Sequence, residues 1–339
     1  MSGNELGEEL LNKHLYEKLT PLIADIKAAC SWNFRGIVII GSFSQGVATV
    51  SDGQILSDLD MHVVIKVFSP LLDRKIRLLV EKHRERLPFE IGFGTIPEFL
   101  YRVYKSIEYY ETGKNGYVIC GPRDLTKKIR IRDPLQLPAW EGVRVLFNRA
   151  LELLEAFHSR RNENYVIAKF YLGMAQAYLL FDRRYKSTYR ERHDQILSRC
   201  KVECVEGFVE KYLAAYEYKM NAREDVGSLT LDQAIGDALS CLDYYLGLFL
   251  SCTGPLAVKI RKLRFKFLNP YHSFVFFWGR LKSGRFDPGL LFVEPCIYIW
   301  ERGVSCLAEI MNGNRNLSKT YISEIIRDWK STPQLFPAW

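Results

Sequence analysis

The run Ile37-Val38-Ile39-Ile40-Gly41-Ser42, followed after a gap by Ser57-Asp58-Leu59-Asp60-Met61-His62-Val63-Val64, decides how the rest of the chain is read. The first stretch is an apolar strand that ends in Gly-Ser. In the second, a period of two sets Asp58 and Asp60 on one face and turns Leu59 and Met61 toward a core. Two like charges side by side cost stability unless a cation lies between them. Hard divalent ions, held by carboxylate oxygens and by phosphates of a substrate, are the usual answer. Gly41 lets backbone approach a ligand closely, and Ser42 falls at the start of the next helix, where N–H groups bind phosphate. Together the two stretches read as a metal–triphosphate site.

Outward from this pair the chain alternates strands and helices. Apolar spacing before it predicts two helices within 5–30, the second beginning at Pro21. Strands are expected at 36–40, 58–66, 89–94 and 117–120, and helices at 43–47, 70–86 and 97–110, with a Gly-Lys-Asn-Gly turn at 113–116. This order predicts an α+β fold with a small mixed sheet and helices packed against it. From residue 139 the pattern changes to helices at 142–160, 163–182, 202–222 and 229–250, which suggests an antiparallel bundle. Thr230 or Ser228 is placed to cap the last of these. A further apolar helix is expected at 290–311.

In this setting Gly41-Ser42 with Asp58-Leu59-Asp60 resembles the signature of the DNA-polymerase-β-like nucleotidyltransferase superfamily, and most of all its minimal, aminoglycoside-adenylyltransferase-like branch. The resemblance covers roughly residues 30–135. The gap from Phe43 to Ser57 slightly exceeds the family's usual one, and Asp52-Gly53 reads as a turn that absorbs the extra length. The family adds a third carboxylate on a later strand, which implies Glu90 in Pro88-Phe89-Glu90-Ile91-Gly92-Phe93-Gly94. Val118-Ile119-Cys120-Gly121-Pro122 resembles the strand and turn that close the catalytic domain. The domains expected on this basis are N-terminal helices at 1–30, a nucleotidyltransferase domain at 31–135, a helical bundle at 136–253 and a basic, aromatic helical region at 254–339.

The implied reaction is Mg²⁺-dependent transfer of a nucleoside monophosphate, AMP foremost, from an NTP to a hydroxyl or phosphate of a small acceptor. Asp58, Asp60 and Glu90 are the expected ligands of a two-metal site, with Glu90 the alternative general base. Gly41 and Ser42 are expected to hold the β- and γ-phosphates. Lys169, a cation in an otherwise apolar helix, is the expected counter-charge to the leaving pyrophosphate. The basic runs at 127–132 and 183–192 read as solvated faces. A second class remains open, a nucleotide- or nucleic-acid-binding protein that keeps the fold without turnover, as does an enzyme with an RNA or protein acceptor. Residues 259–285 carry eight basic and no acidic residues interleaved with aromatics. That composition suits single-stranded nucleic acid, although packing of those rings is the simpler reading.

Composition fits this picture. At 339 residues, with 48% hydrophobic and 25% charged residues, the chain is a globular protein of two or three domains. A net charge of +8 suits a polyanionic substrate. The acidic start, Met1 to Glu9, has no basic or apolar segment of a signal peptide, so a cytoplasmic location is expected. Apolar runs such as Phe274 to Trp278 are too short to span a membrane. The eight cysteines are scattered, and Cys200, Cys204 and His193 lack the second ligand pair of a zinc site.

Overall fold

A computed structural model describes residues 13–48, 50–51, 54–55, 57–87, 89–221, 225–266, 280, 294–314 and 317–331. The fold is α+β. Among the described residues the strands are β1 (Phe34–Ile40), β2 (Val50–Ser51), β3 (Gln54–Ile55), β4 (Leu59–Ile65), β5 (Ile91–Pro97) and β6 (Tyr117–Cys120). The helices of the first part are α1 (Lys13–Cys30), α2 (Gly41–Ser44), α3 (Pro70–Arg84), α4 (Leu100–Val103) and α5 (Ile107–Asn115). Then come α6 (Trp140–Ser159), α7 (Glu163–Phe181), α8 (Tyr189–Arg199), α9 (Phe208–Asn221), α10 (Leu231–Leu250), α11 (Leu256–Lys266), α12 (Pro295–Met311) and α13 (Lys319–Ser331). The chain forms two units. The first runs to Pro138 and regains the chain at Arg183–Arg192 and Lys219–Arg223, and the second holds the rest.

The first unit is built on a four-stranded mixed sheet in the order β5-β4-β1-β6. β1 runs antiparallel to both neighbours, and β4 and β5 are parallel. β1 lies in the sheet interior, which is why Ile37, Val38 and Ile39 form a continuous apolar run rather than an alternating one. β4 alternates as expected. Leu59, Met61, Val63 and Ile65 enter one core with Ile37 and Ile39, closed by Leu19, Leu22 and Ile26 of α1 and Ile76 and Val80 of α3. The opposite face of β4 carries Asp60, His62 and Val64, of which Asp60 alone is not buried. The long gap after α2 holds the β2–β3 ladder, Val50 opposite Ile55 and Ser51 opposite Gln54. The Asp52-Gly53 turn lies outside the described residues.

Several boundaries differ from expectation for definable reasons. Helix α1 runs through Pro21 instead of restarting there. Proline inside a helix costs roughly 3 kcal/mol, but Leu19, Leu22, Ile23 and Ile26 flank it and all enter the core. Of the first expected N-terminal helix, residues 5–12 lie outside the described residues and 13–20 belong to α1. β5 extends to Pro97, where a helix start was expected. As an edge strand it has no outer neighbour to need the missing N–H. The single helix expected at 97–110 is instead two short ones, the second starting where Ser106 accepts from the Tyr109 N–H.

In the second unit α6 and α7 are joined through Arg160 and Asn162, both left-handed. Buried residues of α6 pack with α7, α10, α12 and α13, and Phe147 stacks on Trp300 at 4.4 Å. Thr230 caps α10 in a reciprocal box with Gln233. The described part of the C-terminal region therefore belongs to the bundle's unit, and Pro138–Ala139 is the first boundary. Residues 267–279 and 281–293, with most of the basic–aromatic region, lie outside the described residues. Among the described residues no helix is long and apolar enough to cross a membrane.

Glu98 illustrates how charge supports the first unit. It takes Arg35 at 2.8 Å and Lys128 at 2.5 Å and is 14% exposed. The Lys128 bond, with nearby positive charge, lowers its pKa below the ordinary value of 4.5. A carboxyl depressed on folding contributes stability above its unfolded pKa and loses it as pH falls through the folded one. Glu98→Gln is therefore expected to destabilise the protein at pH 7, with the difference from wild type closing below about pH 4. Urea midpoints measured from pH 3 to 7 check this, and a pH-independent difference would refute it.

Candidate active site

The sheet register lines up Ile40, Asp60 and Gly92 across β1, β4 and β5. Directly after Ile40 the backbone turns through Gly41 at φ +68°, a conformation that side chains disfavour. A Cβ on Gly41 would stand 3.0 Å from Oδ2 of Asp60, and one on Gly92 would stand 2.2 Å from Oδ1. The Asp60 carboxylate thus lies in a slot between two glycines, one directly after β1 and one on β5. Asp58 sits just before β4, where the Leu59 N–H donates to Glu90 O at 2.8 Å. Both aspartates are half-buried. Same-face neighbours on a strand are about 6.6 Å apart, which at an effective dielectric of about 20 amounts to roughly 2.5 kcal/mol of mutual repulsion. A shaped oxygen pair of this kind fits a hard divalent cation that completes its shell with phosphate and water.

Glu90 is placed differently by backbone and side chain. Continuing the parallel register one residue sets it beside Asp58, as the third carboxylate would need. Its carboxylate, however, is 77% exposed and takes Arg84 at 2.9 Å. Among the described residues no group of three His, Cys, Asp or Glu side chains is arranged to hold a metal. The structure therefore assembles a pair, with Glu90 turned away from it. Across from Asp60 itself the place is glycine.

Ser42 lies in a helix of one turn, Gly41–Ser44. So short a helix carries little of the macrodipole expected for phosphate binding, and only its backbone amides and hydroxyls remain. Ser44 Oγ donates back to Gly41 O at 3.0 Å, and Gln45 follows directly. Gln45 joins this turn to the returning segment at 183–192, since its amide oxygen accepts from the Tyr189 N–H at 3.3 Å and its amide nitrogen meets Glu111 at 3.5 Å. Glu111 also takes Tyr185 Oη and Arg192, each at 2.5 Å. Arg192 is 3% exposed, so the basic run at 183–192 is not simply a solvated face. Its arginine pins the segment against α5. In the 127–132 run, Lys128 holds Glu98, and Arg132 donates to the carbonyls of Gly113 and Lys127.

Further along the Asp60 face, His62 is 1% exposed and bridges Tyr101 Oη at 2.9 Å and Glu108 at 2.5 Å. Burial holds the Tyr101 phenol well above its ordinary pKa, so it keeps its proton. Each ring nitrogen of His62 therefore has one partner, Nδ1 the Tyr101 hydroxyl and Nε2 the Glu108 carboxyl. The ring supports the floor behind the aspartates as a satisfied buried histidine.

Two contributors escaped the sequence reading. Gly92 is one; the glycine alternation in Glu90-Ile91-Gly92-Phe93-Gly94 was its visible signal. Lys219 is the other. Near the C-terminal end of α9, it is 8% exposed and donates to Ser57 Oγ at 2.9 Å, directly before Asp58. Nothing in its helical spacing marks it. Lys169, the expected cation, lies in α7 of the second unit with its ammonium 4.7 Å from the centre of the Tyr165 ring. No protein-family profile matches the chain, and a search of curated proteins finds no match.

The slot gives a direct test. Gly92→Ala is expected to push the Asp60 carboxylate aside and weaken Mn²⁺ binding at least about tenfold, in line with the 10–100-fold losses seen when a ligand's support is disturbed. Gly94→Ala, whose Cβ would stand 3.2 Å from the flexible tip of Ile96 and in ordinary contact with His62 at 3.9 Å, without touching Asp60, serves as control. Electron paramagnetic titration of Mn²⁺ reads both, and equal affinity in the two variants would discard the slot.

Proposed function

We propose that the protein is a divalent-metal-dependent nucleotidyltransferase that moves a nucleoside monophosphate, most readily AMP, from an NTP to a hydroxyl or phosphate acceptor and releases pyrophosphate. The observation that carries this reading is the Asp60 carboxylate held between Gly41 and Gly92, with Asp58 beside it and a Gly-Ser turn at the end of β1. Asp58 and Asp60 would hold Mg²⁺, which supplies charge neutralisation for the phosphates and a lowered pKa for the acceptor. The protein's own part is positioning, as is general for phosphoryl chemistry. The Gly41-Ser42 turn presents backbone amides and a hydroxyl to the β- and γ-phosphates. The acceptor oxygen forms its bond to the α-phosphorus while the bond to the pyrophosphate oxygen breaks, and pyrophosphate leaves with the electron pair. Glu90 takes part as base or ligand only by leaving Arg84, a rotation its exposure permits.

The support is the joint placement of these groups by one sheet, because each alone has an ordinary structural use. A cation site without chemistry would need no phosphate-facing turn next to it.

The test is pyrophosphate release from a panel of NTPs with Mg²⁺ and a library of hydroxylated and phosphorylated metabolites. Asp58→Asn and Asp60→Asn should each lower the rate by more than the roughly 10–100-fold that loss of an outer-shell partner costs. Wild-type turnover in both variants, with melting temperatures unchanged, would end the proposal.

A further inference from the structure

We propose that Lys219 is a fixed cation of the Asp58/Asp60 site, so that the site takes a single divalent ion with its nucleotide instead of two. This rests on the nucleotidyltransferase reading and sharpens it.

Lysine is almost never buried unless negative charge adjoins it. Lys219 is 8% exposed, and the hydroxyl it donates to, Ser57 Oγ at 2.9 Å, is on a residue 1% exposed. Ser57 precedes Asp58 in the chain, with consecutive Cα atoms about 3.8 Å apart. The ammonium is thereby anchored within one residue of the aspartate pair. It arrives from 162 positions away in sequence, on a segment, Lys219–Arg223, that belongs to the first unit although most of α9 does not. An ammonium offers three donors and Ser57 Oγ accepts one, so two point elsewhere in the same buried surroundings.

The donor set agrees. Two-metal sites hold ions about 3.5–4 Å apart and need carboxylates enough to ligate both. Here the third carboxylate is engaged by Arg84 at 2.9 Å, and the position across from Asp60 is Gly92. In this arrangement a second divalent ion would find few protein oxygens, while the Lys219 ammonium is held on the residue next to Asp58. A compact point charge suits that place, because lysine neutralises phosphate and carboxylate without demanding fixed coordination geometry.

A purely structural Lys219 would tie α9 to the Ser57 turn and leave ion count and nucleotide affinity unaffected, so those are the quantities to read. The probe is Mn²⁺ titrated into the full chain with the ATP analogue whose α,β-bridge is methylene, followed by electron paramagnetic resonance and calorimetry. The wild type is expected to bind one Mn²⁺ per chain with the analogue. Lys219→Met should weaken the analogue at least about tenfold, and Lys219→Arg should restore it to within threefold. Ser57→Ala, which keeps the charge and loosens its anchor, should fall between them and covers the case in which Lys219→Met does not fold. Two Mn²⁺ per chain in the wild type, or unchanged analogue affinity in well-folded Lys219→Met, would overturn the assignment and leave the nucleotidyltransferase reading standing. No analogue-dependent Mn²⁺ binding at all would overturn both.

Discussion

Everything in the first unit is arranged around two carboxylates that repel each other on one face of a strand whose other face is core. Leu59, Met61, Val63 and Ile65 cannot leave the core that α1 and α3 close, so Asp58 and Asp60 cannot leave their face either. A one-residue slip of β4 would drive Asp60 into the core that now holds Leu59 and Met61. The hydrophobic effect therefore fixes where the two aspartates stand. Gly41 and Gly92 then narrow the freedom of Asp60 from either side. Core packing supplies the force and glycine supplies the room.

The parts of this that were legible in the sequence are those ruled by a short period. Alternation in Leu59-Asp60-Met61 gave the faces, the apolar run before Gly41 marked a strand, and Thr230, one of two candidate caps with Ser228, marked a helix start. Where two local signals competed, the tertiary context decided. Pro21 and Pro97 both look like helix starts, yet one is overridden by a buried helix face and the other is tolerated at a sheet edge. Glu90 shows a third limit. Its backbone position follows from strand register, but the direction of its carboxylate depends on Arg84, six residues earlier on α3, and no strand pattern contains that.

Contacts between distant segments were the least legible. Glu111 gathers Gln45, Tyr185 and Arg192, and none of these is near it in sequence. The basic run 183–192 has the composition of a solvated loop, and the burial of Arg192 appears only when α5 presents a carboxylate to it. Lys219 is of the same kind. Such residues carry no periodicity of their own, because the partner that explains them lies in another element.

The span between Ser57 and Lys219 also gives the protein a schedule. The aspartates and the sheet strands are all made within the first 120 or so residues of the chain, whereas the ammonium that reaches Ser57 follows 162 residues after it. At roughly 5–20 residues per second of synthesis, that is an interval of about 8–30 s. Within it the strands of the first unit are already synthesised, the segment 183–192 that holds Gln45 comes next, and Lys219 comes last. The nascent chain thus makes its acidic pair early and completes the surroundings of that pair late, after most of the helices between them have been made.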